Sequence, residues 1–269
     1  MEALMEGSIP LVLTERQVTF LKFFVNESEE GIHEKVKQFH DRALTVFQYP
    51  CIKRYGFAKP SIPQHPLFKS HFLSNNWKEH KVLDIGCCMG TDLRYLQSIG
   101  ANTTSLYGIE LLEDFLKLGD EFFGKSDINF LVGNVLDQNF LATDSPFSKF
   151  INFFDYVYTG SVIHLFSLDE QKVLFTNIRR LLKPGGTFFG RTTGLPEAGV
   201  RDTWRSTSIY LHNPDTLKDI LNDHFKTDTA VASEAQQITN EFATLKEKVP
   251  SLQERISMTF SVVSSDSNL

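Results

Sequence analysis

Hydrophobic and polar positions along the chain change their period near residue 80. Before that point, apolar side chains recur at helical spacing in two stretches, 14–24 and 32–47, and a proline-rich stretch follows them. Thr14 with Gln17 three residues later resembles a capping box at the start of the first stretch. This pattern predicts an N-terminal helical cap over residues 1–78, which ends in a short helix at 67–73.

After residue 80, short apolar runs alternate with helical patterns. This alternation predicts a parallel sheet with right-handed crossovers, which is a doubly wound α/β core over residues 79–269. A polar, helical insert is expected within the core, at 236–253. The predicted strands cover 81–85, 105–109, 128–132, 154–158, 187–191, 227–233 and 256–263, and the predicted helices cover 91–98, 113–123, 168–182 and 215–222.

A glycine turn follows the first predicted strand directly, in the run Val-Leu-Asp-Ile-Gly-Cys-Cys-Met-Gly-Thr at 82–91. Gly86 and Gly90 allow the backbone to approach a ligand closely, at the sheet edge where doubly wound folds bind their ligands. A dinucleotide site requires G-x-G-x-x-G, whereas the spacing here is G-x-x-x-G with Cys88 at the second glycine position. The Asp84 carboxylate would repel a pyrophosphate, but it suits the amino group of S-adenosylmethionine (SAM).

Two further motifs follow the glycine turn in chain order. Glu110 ends the second predicted strand, where a carboxylate can accept hydrogen bonds from both hydroxyls of a ribose. NAD and SAM sites share this feature, so Glu110 does not distinguish between the two cofactors. The run Leu-Lys-Pro-Gly-Gly at 182–186 combines a helix stop with a glycine turn that re-enters the sheet.

With these motifs in this order, residues 81–191 resemble the class I SAM-dependent methyltransferases. That resemblance implies a seven-stranded, mostly parallel sheet whose last strand is antiparallel. Shorter runs resemble the fungal meroterpenoid carboxyl methyltransferases of the austinol, terretonin and andrastin pathways. These runs are 42–54, 83–94 with its paired cysteines, 161–166, Gly190-Arg191 and 211–213.

The resemblance implies a set of residues that contact SAM. Tyr49 would belong to a lid over the cofactor and the acceptor, and Thr159 follows the fourth strand. Asn134 stands where the family usually has Asp, but its amide can still pair with an adenine edge. The implied cofactor contacts are Tyr49, Asp84, Gly86, Cys87, Gly90, Glu110, Leu111, Asn134, Val135 and Thr159.

The resemblance also implies methyl-ester formation on an apolar carboxylic acid of meroterpenoid or polyketide type, with S-adenosylhomocysteine (SAH) as product and no metal. His164 follows the fourth strand and could orient the acceptor, or act as a base if the acceptor is a phenol. Arg191, at the end of the fifth strand, could hold a carboxylate, as could Arg205. His212 could face the acceptor or cap the helix that follows it.

Composition narrows the class of protein without naming the acceptor. The net charge of −6 lacks the basic field of a nucleic-acid-binding protein, and no apolar run is long enough to span a membrane. Three cysteines, two of them adjacent, form no disulfide pattern, so we expect a cytoplasmic protein, with a homodimer left open. Three alternatives remain: an O- or N-methyltransferase acting on a phenol or amine, a non-catalytic SAM-binding regulator, and an NAD-dependent oxidoreductase.

Overall fold

The structure, a computed structural model, describes residues 10–68, 70, 77–202, 207–227, 229–235 and 255–265. Arg205 and the predicted insert at 236–253 lie outside the described residues, as does part of the predicted helix at 67–73.

Seven α-helices and nine strands are formed within this part of the chain. The helices are α1 Glu15–Lys22, α2 Glu29–Val46, α3 Pro50–Lys53, α4 Thr91–Ser98, α5 Glu113–Phe123, α6 Leu168–Leu181 and α7 Pro214–Phe225. The strands are β1 Val82–Ile85, β2 Leu106–Glu110, β3 Asn129–Val132, β4 Phe154–Gly160, β5 Leu182–Gly194, β6 Gly199–Asp202, β7 Ser208–Leu211, β8 Thr229–Ala235 and β9 Ile256–Val263.

Seven of these strands form one sheet in the order β3-β2-β1-β4-β5-β9-β8. β4 runs parallel to β1 and β5, whereas β9 runs antiparallel to both β5 and β8. The predicted doubly wound α/β fold is therefore confirmed, including its antiparallel last strand. The parallel strands β1 to β5 alternate with α4, α5 and α6, which explains why hydrophobic periodicity was enough to predict them.

The predicted Leu-Lys-Pro-Gly-Gly turn lies inside β5 as an irregularity. Phe154 pairs with Leu182, but two residues later Tyr156 pairs with Thr187, so β5 contains extra residues at this point. Gly185 has a φ of 74° there, a left-handed conformation that glycine adopts without strain. The turn thus sets the register in which the rest of β5 enters the sheet.

A two-stranded sheet of β6 and β7 follows β5, and sequence periodicity did not predict it. The two strands pair antiparallel, from Gly199 opposite Leu211 to Asp202 opposite Ser208. Three of the four β6 residues are exposed and two are charged, so the strand has no buried alternating face that a pattern could reveal.

The described chain divides into two compact units. The first contains residues up to 63 together with 86–133, and the second contains 64–85 together with residues from 134 onward. This division follows packing and does not test the predicted boundary between cap and core at residue 78, which stays a prediction.

The first unit has an aromatic and aliphatic core. α1 begins with the predicted capping box of Thr14 and Gln17, and it buries Leu21. α2 buries Ile32 and Val36 in the same cluster as Phe115 of α5. The N-terminal helices therefore pack directly on the helix that follows β2.

The core of the second unit is built largely from phenylalanines. Phe188 of β5 stacks on Phe225 of α7 with ring centroids 5.5 Å apart, and it meets Phe260 of β9 edge-on at 4.9 Å. All three side chains are at most 1% exposed. This packing seats α7 and β9 against β5, whose far end carries Arg191.

Candidate functional site

The glycine turn between β1 and α4 has an unusual backbone. Gly86, Cys88 and Gly90 all adopt left-handed φ angles, of 71°, 52° and 72°. The Gly86 N–H donates to the Ile109 carbonyl at 2.8 Å, which holds the turn against the end of β2. A side chain at Gly90 would place its Cβ 2.4 Å from the Phe130 ring. Glycine at position 90 is therefore required by both its conformation and its surroundings.

Glu110 organises this turn from the end of β2. Glu110 is 6% exposed, and its Oε2 accepts a hydrogen bond from the Cys88 N–H at 2.9 Å. Oε1 accepts from the N–H groups of Leu111 at 2.8 Å and Leu112 at 3.1 Å. A carboxylate offers about four lone-pair positions, so about one remains for a ribose hydroxyl. Glu110 therefore shapes the backbone beside it as well as offering an acceptor.

Leu111 directly follows this acid and is 55% exposed, which is unusual for a large apolar residue. An exposed apolar side chain next to a carboxylate that can accept ribose hydroxyls fits the face of an adenine. In the first unit, the glycine turn, the Glu110 carboxylate and Leu111 thus fit a bound nucleoside.

Tyr49 lies at the N-cap of α3, in the same unit as the glycine turn. Its ring centroid lies 4.2 Å from that of Phe47 and 6.1 Å from that of Phe115. Tyr49, Phe47 and Cys88 of the turn pack against a hydrophobic cluster that contains Phe115 and Met89. The structure therefore brings the predicted lid residue and the predicted cofactor turn into one packed cluster.

Cys87 has little side-chain surface to offer a ligand. The residue is 6% exposed, and its Sγ lies 2.7 Å from the position that a Cβ on Gly108 would occupy. Its predicted contact with a cofactor would therefore use the backbone.

In the second unit, the predicted cofactor residues differ in exposure. Asp84 of β1 is 4% exposed, and Asn134 is exposed, with its Oδ1 accepting from the Leu136 N–H at 3.0 Å. The Val135 carbonyl accepts from Asn177 Nδ2 at 2.8 Å, while its N–H has no partner among the described residues. Thr159 is fully buried and its hydroxyl has no partner in the described chain. Ligand contact with Thr159 would therefore require neighbouring groups to move.

His164 lies in a short 3-10 helix directly after β4. Its Nδ1 accepts a hydrogen bond from the Thr193 N–H at 3.3 Å and lies 3.2 Å from the Thr192 hydroxyl. Burial of the ring nitrogens, followed by the charges of Arg255 and Arg191, lowers the pKa of His164 to about 4, although part of the residue is open to solvent. At neutral pH the ring is therefore uncharged, with its proton on Nε2.

Arg191 is half-buried on β5, and its guanidinium makes no hydrogen bond or ion pair with any residue that the structure describes. Arg255 precedes β9, whose first residue, Ile256, pairs with Gly194 at the end of β5. Both cations act on His164, so two positively charged side chains lie near this end of β5. Sequence reasoning missed Arg255, because only the β5–β9 register brings it here.

His212 does not face an open surface. It is 3% exposed, its Nε2 lies 2.9 Å from Gln171 Oε1, and its Nδ1 lies 3.0 Å from the Thr216 hydroxyl. Gln171 Nε2 donates in turn to the carbonyls of Phe166 and Tyr210. His212 thus helps to join α6, α7 and β7. The cap of α7 is Asn213, so the predicted capping role falls to the next residue rather than to His212.

Buried histidines, among them His164 and His212, predict a pH dependence of stability. Burial lowers the pKa of both His164 and His212 to about 4 in the folded protein. The unfolded chain, with ordinary histidine pKa values near 6.5, binds more protons below that pH. We therefore expect the free energy of unfolding to fall as the pH falls from about 6.5 towards 4. Urea unfolding at several pH values measures this dependence, and His212→Gln should make it less steep. A free energy of unfolding that stays constant from pH 7 to 5 would contradict the prediction.

The described residues contain no group of three or more metal-ligating side chains. None of the described helices is both long and apolar enough to cross a bilayer. The predicted absence of a metal, cytoplasmic location, lack of nucleic-acid binding and oligomeric state stay predictions.

Comparisons with known proteins identify relatives of the chain. The methyltransferase domain family matches residues 83–190. The O-methyltransferase phiE of Fungal sp. (strain ATCC 74256) is 32% identical over 204 residues, covering 74% of this chain and 67% of the relative. The methyltransferase ausD of Aspergillus calidoustus is 31% identical over 226 residues, covering 78% and 79%.

Among solved structures, the fold is similar to that of Haemonchus contortus phosphoethanolamine N-methyltransferase 2 in complex with S-adenosyl-L-methionine. The TM-score is 0.54 at 16% sequence identity, and the match covers 94% of this chain and 60% of that one. At this identity the likeness concerns the fold alone.

Proposed function

Because this chain belongs to the class I SAM-dependent methyltransferases, in the family of the fungal enzymes phiE and ausD, we propose that it methylates a carboxylate. The acceptor would be an apolar acid of meroterpenoid or polyketide type, and the product its methyl ester. The positive charge of Arg191 and Arg255 around an uncharged His164 carries this proposal, because it favours an anionic acceptor.

The proposed cofactor contacts are those that membership of the family suggests. When bound, SAM supplies a methyl group that its sulfonium already activates. Glu110 would accept a ribose hydroxyl and Leu111 would pack on the adenine. Asp84 would hold the amino group, and the free N–H of Val135 would donate to the adenine edge, beside Asn134. Gly86, Cys87 and Gly90 would contribute backbone and Tyr49 would complete the set, with Thr159 joining it once neighbouring groups move.

A carboxylate acceptor needs no general base. An ordinary carboxyl group has a pKa near 4 and is ionised at neutral pH, so no base has to remove a proton. Arg191 can hold both oxygens by parallel hydrogen bonds, and His164 can donate one more from Nε2. Together these groups would orient one oxygen towards the methyl group, which is the main requirement of a displacement at carbon.

A phenolic acceptor fits the same residues less well. A phenol, with a pKa near 10, would benefit from a base. The Nδ1 of His164 already accepts the Thr193 N–H, and its Nε2 carries the proton, so the ring has no free lone pair for a second proton. That the relative phiE is an O-methyltransferase supports oxygen, rather than nitrogen, as the atom that is methylated.

The test combines binding with the chemistry of the product. Purified protein is titrated with SAH by calorimetry and then incubated with methyl-labelled SAM and farnesoic acid, farnesol or 1-naphthol as probes. We expect label transfer to the acid alone, and mild alkali should release it as methanol, because esters hydrolyse and ethers do not. Alkali-stable label on naphthol or farnesol would favour the alternative acceptor class instead.

Arg191→Met should separate acceptor binding from cofactor binding. Loss of a charge-assisted, two-point contact of about 1.5–3 kcal/mol should raise the KM for farnesoic acid about 10- to 100-fold. The SAH affinity should stay unchanged, because Arg191 is assigned only to the acceptor. Arg179→Met, on α6, is the matched control and should leave both quantities unchanged. An unaltered KM in Arg191→Met would remove this residue from the acceptor site.

A further inference from the structure

Asp92 holds a segment that is distant in sequence and belongs to the same unit. Its Oδ1 accepts hydrogen bonds from the N–H groups of Ser61 at 2.6 Å and Ile62 at 2.8 Å. Its Oδ2 accepts from the Ser61 hydroxyl at 2.8 Å. One half-buried carboxylate therefore satisfies three donors of the N-terminal segment.

The three hydrogen bonds that the Asp92 carboxylate accepts from Ser61 and Ile62 go to another segment rather than to its own helix. α4 begins after Gly90, and no side chain caps its first turn, although an acid in that turn would ordinarily favour the exposed N–H groups there. Asp92 instead accepts a hydrogen bond from the N–H of Ile62, the first residue of the short 3-10 helix Ile62–Gln64. Its first role is therefore to join two segments rather than to stabilise α4.

A second contact joins the same two segments. The hydroxyl of Thr91, the first residue of α4, donates to the Phe57 carbonyl. Phe57 is 3% exposed and lies in the hydrophobic cluster that Tyr49 borders. The chain between Tyr49 and Ile62 is thus attached at both positions 57 and 61–62 to the helix that begins where the glycine turn ends.

We propose that Asp92 is a positioning residue, which couples the segment carrying Tyr49 to the cofactor-binding turn. Because Thr91 directly follows Gly90, any shift of the first turn of α4 moves the backbone of the glycine turn with it. The glycine turn would then become ordered and Tyr49 would be placed over the cofactor in one cooperative step. The inference rests on the proposed roles of Tyr49 and the turn in SAM binding.

The experiment measures SAH affinity by calorimetry in the full chain, together with hydrogen exchange of residues 47–62 with and without SAH. Asp92→Ala removes all three acceptor contacts, and we expect it to raise the Kd for SAH about tenfold. Asp92→Asn keeps one oxygen for the two N–H groups but loses the acceptor for the Ser61 hydroxyl, so we expect about a threefold rise. In wild type SAH should slow exchange in 47–62, and in Asp92→Ala this protection should be lost.

Asp120→Asn is the matched control. It breaks the ion pair between Asp120 and the buried Arg94, 2.8 Å long, on the other side of α4 in the same unit. It should lower stability while leaving the SAH affinity and the protection of 47–62 unchanged. A loss of affinity in Asp120→Asn as large as that in Asp92→Ala would mean that Asp92 acts through stability alone, and would overturn the inference.

The remaining outcomes are also decisive. Wild-type affinity in Asp92→Ala would overturn the inference while leaving the proposed function intact. If Asp92→Ala does not fold, Asp92→Asn decides, and a Kd indistinguishable from that of wild type would count against coupling. A wild-type protein that does not bind SAH would overturn the proposed function, and this inference with it.

Discussion

Replacing Glu110 with alanine should lower the affinity for SAH at least about 100-fold, or by about 2.7 kcal/mol. The substitution removes the proposed acceptor of the ribose hydroxyl. It also leaves the N–H groups of Cys88, Leu111 and Leu112 without their partner. Each hydrogen bond to a charged group contributes about 1.5–3 kcal/mol, and a buried unsatisfied N–H costs about 1–3 kcal/mol. We therefore expect the free energy of unfolding to fall as well, by about 2–4 kcal/mol.

Calorimetry with SAH and urea unfolding measure the two effects separately. Glu113→Ala is the matched control, because Glu113 is a neighbouring acid that is exposed and paired with Lys117 on the surface of α5. Such pairs contribute less than about 1 kcal/mol, so both quantities should stay close to wild type. An SAH affinity within tenfold of wild type in Glu110→Ala would contradict the role given to this acid.

Gly90→Ala should destabilise the protein by about 2–5 kcal/mol and weaken SAH binding. The left-handed φ of 72° costs a non-glycine residue about 1–2 kcal/mol. The new Cβ would also lie 2.4 Å from the ring of Phe130, and overpacking of this kind costs about 1–3 kcal/mol. The Arg94 guanidinium lies 5.3 Å from the Phe130 ring centroid and limits movement of the ring on that side. The clash would then be relieved by movement of the ring, of the turn backbone, or of both.

Gly124→Ala separates the conformational effect from the steric effect. Gly124 has a φ of 88°, but a Cβ added there would meet no atom within 4 Å. Its ψ of 157° places it in a region that essentially only glycine adopts, so we expect Gly124→Ala to cost about 1–3 kcal/mol from the backbone alone, with SAH affinity unchanged. Urea unfolding and calorimetry of both variants provide the comparison. An unchanged SAH affinity in Gly90→Ala as well would show that the contact with Phe130 does not displace the turn.

The sequence predicted most of the fold because the relevant information is local. The capping box at Thr14 and the alternation of strands and helices depend on spacings of a few residues. The turn at Gly86 and Gly90 is equally local, since its conformation depends on residues that can adopt a positive φ. β6 and β7 were missed because strands of four residues are too short to show a hydrophobic period, and three of the four β6 residues are also exposed.

The candidate site was only partly predictable, and Glu110 illustrates the limit. Its place after β2 was evident, but the three N–H groups that occupy most of its carboxylate were not. Arg255 and Asp92 carried no recognisable pattern at all. Each acts on a partner that is distant in the chain, His164 in one case and Ser61 in the other.

By itself, then, the amino-acid sequence determined the alternating elements, the glycine turn and the acid that follows it. Those features depend on residue types and spacings within single segments. The tertiary structure alone decided which lone pairs of Glu110 remain free, which cations face His164 and which segment Asp92 holds. These depend on strand register and on packing between segments dozens of residues apart, and no local pattern encodes such distances.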